Sequence, residues 1–464
     1  MAEHKYPTPL EWYYFMRKHY RAAKSFEDPA RSGLGQPDWV KAGRHWNLAM
    51  AGCECTNYDG VEGGPDNPKH NGTWIQGFDV RHKSEQWRRA YFEVLMGSAR
   101  AAEHLEGWVY DTRNMVAWSG DQIIGPSNPN RKPTAPTGVE PPREEFCRPV
   151  PYWRPADIYY NKIATMVGFT SSQNLQGAIG CGDWALAHSQ PDVAYEKYKQ
   201  AFDIATKNIP NASTIVDTST GIIQTPSSAT ANIIQASTSM ATYYAQTNNY
   251  ANALPAYLSV LRARRAAPTN PPKTAPKRNK TIFDPLKMLF IPPEFPPVPP
   301  TGDEPFARSA EDDCEDAVLM TYIGEILYAI NDHDSGLRWT RDAIAQAEEC
   351  ARDGRLPRKV QNKGLECAQI GLRNMKLMVA EMAEDDVQSA ERRAQSWRPR
   401  WLGGGNRAGE DAQSKTVMWT KELEDLDERS EKWREEALRR LVFESKDETF
   451  NPIKWLMENW KRHG

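Results

Sequence analysis

The sequence predicts an all-α chain, a solenoid of helical hairpins with a proline-rich insertion and helical N- and C-terminal extensions. Three observations predict it. Small and bulky residues recur at one fixed spacing in three separate segments. Segments near both ends repeat apolar side chains at helical steps of three and four. A run of prolines, PPEFPPVPP at residues 292–300, interrupts the repeats and cannot be helical.

Residues 10–26 form the first predicted helix, with Trp12, Phe15, Met16, His19 and Tyr20 at helical spacing. Pro37 and Asp38 open a second helix that runs from Trp39 to about Cys53. Residues 59–77 are rich in Gly, Pro and Asn and read as a loop. Residues 84–116 carry one long helical pattern, with Gly107 as a point of interruption. Residues 126–155 are punctuated by prolines and read as an extended connection across the surface.

From Ser171 the fixed spacing begins. Gly182, Ala194, Tyr198 and Ala201 stand 12, 4 and 3 residues apart. Ala241, Ala253, Tyr257 and Val260 repeat the series, and Gly324, Gly336, Thr340 and Ala343 repeat it again. Packing gives the reason. Two antiparallel helices that cross closely need small residues at the crossing, and a bulky side chain at the first or second mark would push them apart. These marks identify a tetratricopeptide (TPR) type of hairpin, which takes a small residue at its eighth and twentieth positions, a bulky one at its twenty-fourth and a small one at its twenty-seventh. Residues 360–384 read as the start of a fourth hairpin. Residues 397–409 read as a turn region. Residues 416–443 read as a charged helix, with Trp419, Leu423, Leu426, Ser430, Trp433 and Ala437 as its packing seam. The resulting scheme is an N-terminal helical region at 1–125, an extended linker at 126–170, repeats at 171–385 with the proline-rich insertion at 268–305, and a C-terminal helical cap at 386–464.

Composition narrows the function classes. The formal net charge of −3 over 464 residues offers no general attraction to nucleic acid or to anionic lipid. No run of about eighteen apolar residues occurs, so no membrane span is expected. The seven cysteines are odd in number and loosely spaced, which fits thiols in a reducing compartment. No nucleophile elbow, zinc helix, P-loop or dinucleotide fingerprint is present, so neither a catalytic role nor a cofactor is expected. Gly177, Gly180 and Gly182 read as close helix packing rather than a phosphate loop. Cys53, Cys55 and His70 lack a second pair of ligands, so no metal is expected. The segment NDHDSG at residues 331–336 lacks the bidentate glutamate of a calcium loop and reads as an inter-helix turn.

The residues from Thr218 to Leu261 contain no Asp, Glu, Lys, Arg or His. The first helix of a TPR hairpin lines the concave groove, and in the middle hairpin it carries Gln235, Thr238, Thr242 and Gln246. In the third it carries Thr321, Glu325 and Tyr328, and in the first Asp183. These are the candidate partner-binding residues. A groove lined in this way suits a protein or peptide ligand read through neutral contacts. The carboxylate clamp of chaperone-binding TPR proteins uses Lys, Asn, Asn, Lys and Arg; its places hold Ile179, Asp183, Ser239, Val318 and Tyr322 here, so that ligand is not expected.

The segments YPTPLEWYYFMRKHYRAAK from Tyr6, KSEQWRRAYFEVLMGSARAAEHLEGWV from Lys83 and IIGPSNPNRKP from Ile123 resemble a group of filamentous-fungal TPR proteins. That group is similar in layout to the TPR adaptor subunit of the mitochondrial i-AAA protease. The resemblance implies a mitochondrial, non-catalytic adaptor that recruits substrates to an inner-membrane protease and associates with a membrane complex. The family layout also carries a presequence and a membrane anchor before the repeats, and neither is expected in this sequence. Without the resemblance the expected location is cytoplasmic. A structural subunit of a large mitochondrial assembly is the alternative role, and an enzyme on a helical scaffold ranks behind both.

Overall fold

The structure, a computed structural model, describes residues 5–29, 36–55, 69–70, 73–74, 76–132, 140–150, 154–269, 295–309, 311–395 and 407–447. These are mostly helical, with a few short strands. Several sequence expectations lie outside the described residues: most of the proline-rich insertion at 268–305, most of the turn region at 397–409, and the end of the C-terminal cap from residue 448. The described residues fall into two compact units. One comprises those up to Pro210 together with 295–304. The other comprises those from Asn211 to Thr269 and from Pro305 onward.

The first unit holds α1 (Tyr14–Glu27), α2 (Trp39–Cys53), α3 (Glu85–His104), α4 (Ala156–Ala164), α5 (Ser171–Ala187) and α6 (Pro191–Thr206), and from α2 onward each packs on the helix before it. Their starts are written in the sequence. Asp38 caps α2 by accepting from Lys41 N, and Ser84 caps α3 by accepting from Trp87 N. Thr170 and Gln173 form a reciprocal capping box on α5. Met16, Tyr20 and Ala23 place the apolar face of α1 inward at steps of four and three. The core is aromatic, with Trp12, Trp46, Trp87, Tyr91 and Tyr159 all buried. A Cβ on Gly97 would collide with the Trp46 ring, so α2 and α3 close on each other only because residue 97 is glycine.

Two segments of this unit differ from the sequence reading. The helical pattern expected to reach residue 116 ends at His104. Gly107 adopts a left-handed φ of +73°, and the chain then forms β3 (Trp108–Asp111) and β4 (Val116–Ser119). Trp108, Val109 and Tyr110 are strand formers, and the strands pair with Tyr110 opposite Ala117. β5 (Cys147–Pro149), from the proline-punctuated stretch, pairs on the other edge of β3. Two-residue strands β1 (Lys69–His70) and β2 (Thr73–Trp74) precede them. The second difference is α4, a short helix within the expected linker. Its Lys162 is fully buried, and Lys162 Nζ donates to Glu54 Oε1 at 2.8 Å. The Tyr91 hydroxyl donates to the same oxygen at 2.8 Å, so the buried pair is hydrogen-bonded as burial requires.

The second unit begins with α7 (Ala212–Ile215) and the paired β6 (Val216–Asp217) and β7 (Ile222–Ile223). Then come α8 (Ala231–Gln246), α9 (Tyr250–Ala266), α10 (Asp312–Ala329), α11 (His333–Arg352), α12 (Arg358–Gln395) and α13 (Arg407–Asp447). From α9 onward each packs on its predecessor, as α9 does on α8. The β6–β7 hairpin is tied down by Tyr244, whose hydroxyl donates to Ser219 O, and by Ile223 N, which donates to the buried Ser259 Oγ. This use explains part of the uncharged composition of residues 218–261: charges there would have to be buried between segments. The seam expected on the charged helix packs as such, with Leu426 and Trp433 buried and Trp419, Leu423 and Ala437 beside them. Glu348 accepts from Trp433 Nε1 at 2.9 Å and from Arg429 at 3.0 Å, joining α11 to α13.

Candidate protein-binding face

The spaced marks meet in space. A Cβ on Gly182 would stand 2.7 Å from Tyr198 Cε1, and one on Gly336 would stand 2.9 Å from Gly324 O. Contacts under about 3 Å are closer than side chains sustain, so the small residues set the helix separation. Gly177 and Gly180 do the same against α4, meeting Ala164 N and the Tyr160 ring, each at 2.6 Å. The glycine run of α5 is therefore a packing stripe. The turn that joins α10 to α11 is shorter than the expected 331–336: it spans residues 330–332, with Asn331 at φ 67° and Asp332 capping α11 through Ser335 N, and residues 333–336 already belong to α11.

In two hairpins the bulky third mark also carries a hydrogen bond. The Tyr198 hydroxyl donates to Asp183 Oδ1 at 2.6 Å. The Thr242 hydroxyl donates to Thr238 O at 3.0 Å and lies 2.9 Å from the Tyr257 hydroxyl, which leaves Tyr257 as the donor in that pair. Asp183 keeps solvent access, yet desolvation by its surroundings raises its carboxyl above the usual range, against the pull of Tyr198.

On α8 the residues Gln235, Thr238, Thr242 and Gln246 fall on one helical face, the glutamines exposed and the threonines half-buried. Thr238 donates to Ile234 O within its own helix. The face continues through the Tyr257 ring to Tyr322 of α10, 5.7 Å away between centroids. Tyr322 is 38% exposed, the accessible residue of its turn, whereas Thr321 is buried and donates to Ala317 O. Glu325 is half-buried and accepts from Asn374 Nδ2 of α12. Desolvation raises its carboxyl and pushes the Tyr257 phenol up to about 12, with Tyr322 and Glu325 adding to the latter. Tyr328 stacks on His333 and donates to Met378 O at 3.0 Å, so it joins α10 to α12.

The structure therefore brings together Thr238, Thr242, Tyr257, Tyr322 and Glu325, with Gln235 and Gln246 on the same face of α8. Asp183 belongs to the first unit and is tied to Tyr198. Tyr322 was missed as a surface residue, and the buried Tyr257 as the ring that joins it to α8. Tyr257 stood out in the sequence only as a packing mark, Tyr322 only as a place in a clamp whose charges are absent.

A buried ionic network fixes α9 against α10. Arg264 donates to Asp316 Oδ1 at 2.7 Å and Asp312 Oδ1 at 2.8 Å, and pairs with Glu315 at 3.0 Å. Arg308 donates to Asp316 Oδ2 at 2.8 Å. Elsewhere in the unit a cleft of about 470 Å³ is lined by Leu258, Leu261, Arg262, Arg265, Ala266 and Trp339.

The seven cysteines are free thiols, and burial pushes the Cys181 thiol up to about 12. Among the described residues no group of three or more His, Cys, Asp or Glu is placed to hold a metal ion. Among the same residues no helix is long and apolar enough to cross a membrane. Comparison of the chain with family models, with curated proteins and with solved structures gives no match.

Proposed function

We propose that the chain is a non-catalytic adaptor built of TPR-type hairpins, which binds a protein or peptide on the uncharged face of α8 and its continuation onto α10. The observation that carries this reading is the alignment of Gln235, Thr238 and Thr242 with the exposed Tyr322, a surface of neutral hydrogen-bonding groups and one aromatic ring. Such a surface recognises backbone and apolar groups, for which charge is not needed. The specific form of the proposal is recruitment of substrates to a mitochondrial inner-membrane protease, which the resemblance of the segments at Tyr6, Lys83 and Ile123 supports. The test is capture of partners from the native source by the full chain and by a Thr238→Arg variant. The reading expects a defined partner on the wild type that the variant loses. The same partners on both would refute the assignment to this face.

A second reading, a structural subunit of a large assembly, draws on exposed apolar side chains away from α8. Leu377 is 65% exposed and Val417 64% exposed. Scattered exposed apolar residues are ordinary on soluble surfaces, so this ranks behind the adaptor. A Leu377→Asp variant that drops out of a native high-mass complex would promote it.

A further inference from the structure

The segment of residues 295–304 belongs to the first unit and is held at both ends. At its start the Arg89 guanidinium of α3 donates to Pro297 O at 2.6 Å and to Pro296 O at 2.5 Å. The same guanidinium lies 4.5 Å from the centroid of the Phe295 ring, and that ring packs on the aromatic core. Further along, Ser172 N donates to Thr301 O at 3.0 Å. The Asp303 carboxylate accepts from Ser171 Oγ at 2.8 Å and Asn208 Nδ2 at 2.9 Å. Between these anchors the residues from Pro296 to Pro300 are exposed.

The chemistry of this contact is specific. Prolines have no N–H, so at Pro296 and Pro297 the carbonyls are the only backbone handles. A guanidinium offers donors in a rigid fork that can meet two successive carbonyls, and its flat face stacks on an aromatic ring. Arg89 is only 9% exposed, yet among the described residues the carboxylate it pairs with is Glu85 of its own helix, at a long 3.5 Å. A nearly buried arginine ordinarily meets a close carboxylate; here its close acceptors are neutral carbonyls.

We infer that α3 carries a docking site, centred on Arg89, for a proline-rich segment of the form Phe-Pro-Pro. The chain's own residues 295–297 occupy this site in cis, and a partner protein's segment of the same form displaces them. The resident segment shows what the site accepts: one ring, two proline carbonyls, and no requirement on the outward side chains, which remain in solvent.

The test titrates a labelled synthetic peptide, FPPVPPTGDE, with the sequence of residues 295–304, against the full chain and its variants. Thermal unfolding verifies that each variant is folded. Phe295→Ala weakens the cis competitor, so it is expected to bind the peptide about tenfold or more tightly than the wild type does. Adding Arg89→Ala to Phe295→Ala is expected to abolish that gain. Where Arg89→Ala fails to fold, Arg89→Lys serves instead: a single ammonium cannot present a planar fork to two carbonyls, and the gain is expected to be lost again. Equal affinity for the wild type and Phe295→Ala overturns the inference, as does peptide binding that survives replacement of Arg89. These variants are in the first unit and the α8 face is in the second, so the two proposals fail separately.

Discussion

The Tyr198 hydroxyl donates to Asp183 across 2.6 Å while its ring presses on Gly182, one residue earlier in the same helix. One side chain thus fixes both the separation and the polarity of the α5–α6 crossing. Tyr257 stands in the same relation to Thr242, the residue after Ala241. The repeated spacing in the sequence corresponds to a repeated contact.

Gly182 gives the sharpest test of that contact. In an open helix, alanine is favoured over glycine by about 1 kcal/mol. Here an added methyl meets Tyr198 at 2.7 Å, so Gly182→Ala is expected to destabilise by about 1–3 kcal/mol. Gly354, with open space where a Cβ would stand, is the control, and its alanine variant is expected within about 0.5 kcal/mol of wild type. Urea unfolding of both variants decides it; equal effects would contradict the packing account.

The Arg264 network predicts a strong asymmetry. Arg264→Met leaves Asp316, which is fully buried, with the Arg308 and Arg265 contacts among the described residues. A loss of about 3–5 kcal/mol is expected for breaking such a pair. The double variant Arg264→Met with Asp316→Leu is expected to recover part of that loss, because it removes the stranded charge. A double variant as damaged as the sum of the two single variants would show that the network is not coupled.

His19 and His45 face each other through their Nδ1 atoms at 2.8 Å, with Lys18 and Arg44 as cationic neighbours. Burial, aided by those charges, lowers His19 from 6.5 to about 4, and burial lowers His45 as well. The folded state then holds fewer protons than the unfolded chain below the ordinary histidine range. Stability is full above about pH 6.5 and falls as pH drops toward 4, by up to about 3 kcal/mol from His19. Unfolding midpoints measured from pH 7 to 4.5 should decline less steeply for His19→Gln than for wild type. Identical slopes would rule out this pair as the source.

Trp433 closes the α11–α12–α13 core and donates to Glu348. Trp433→Ala is expected to cost about 3–5 kcal/mol, while Trp433→Phe, which keeps most of the ring and loses the donor, should cost less. Denaturant titration of the pair separates packing from hydrogen bonding; equal losses would assign the whole effect to the bond.

What the sequence disclosed follows from range. The start of the Trp39–Cys53 helix was legible because Asp38 is a local cap. The hairpin crossings were legible because the 12, 4 and 3 spacing of small and bulky residues recurs in three segments. The β3–β4 hairpin was not, since Trp108, Val109 and Tyr110 follow an amphipathic helix and prolong its apolar run. Short α4 was hidden by prolines before it and by Lys162, whose burial depends on Glu54, distant in the chain. On the candidate face, the α8 residues could be read from one helix. Tyr322 required knowledge that Tyr257 stands beside it, which is a tertiary fact.

Site-specific photocross-linking from position 235 of the full chain, incubated with extract of the native source, tests the central claim most directly. Gln235 is exposed on the proposed face, and Arg262, exposed beside the cleft on α9, is the control position. The account predicts a discrete protein adduct from position 235 and none from position 262. An adduct from position 262 alone would contradict it.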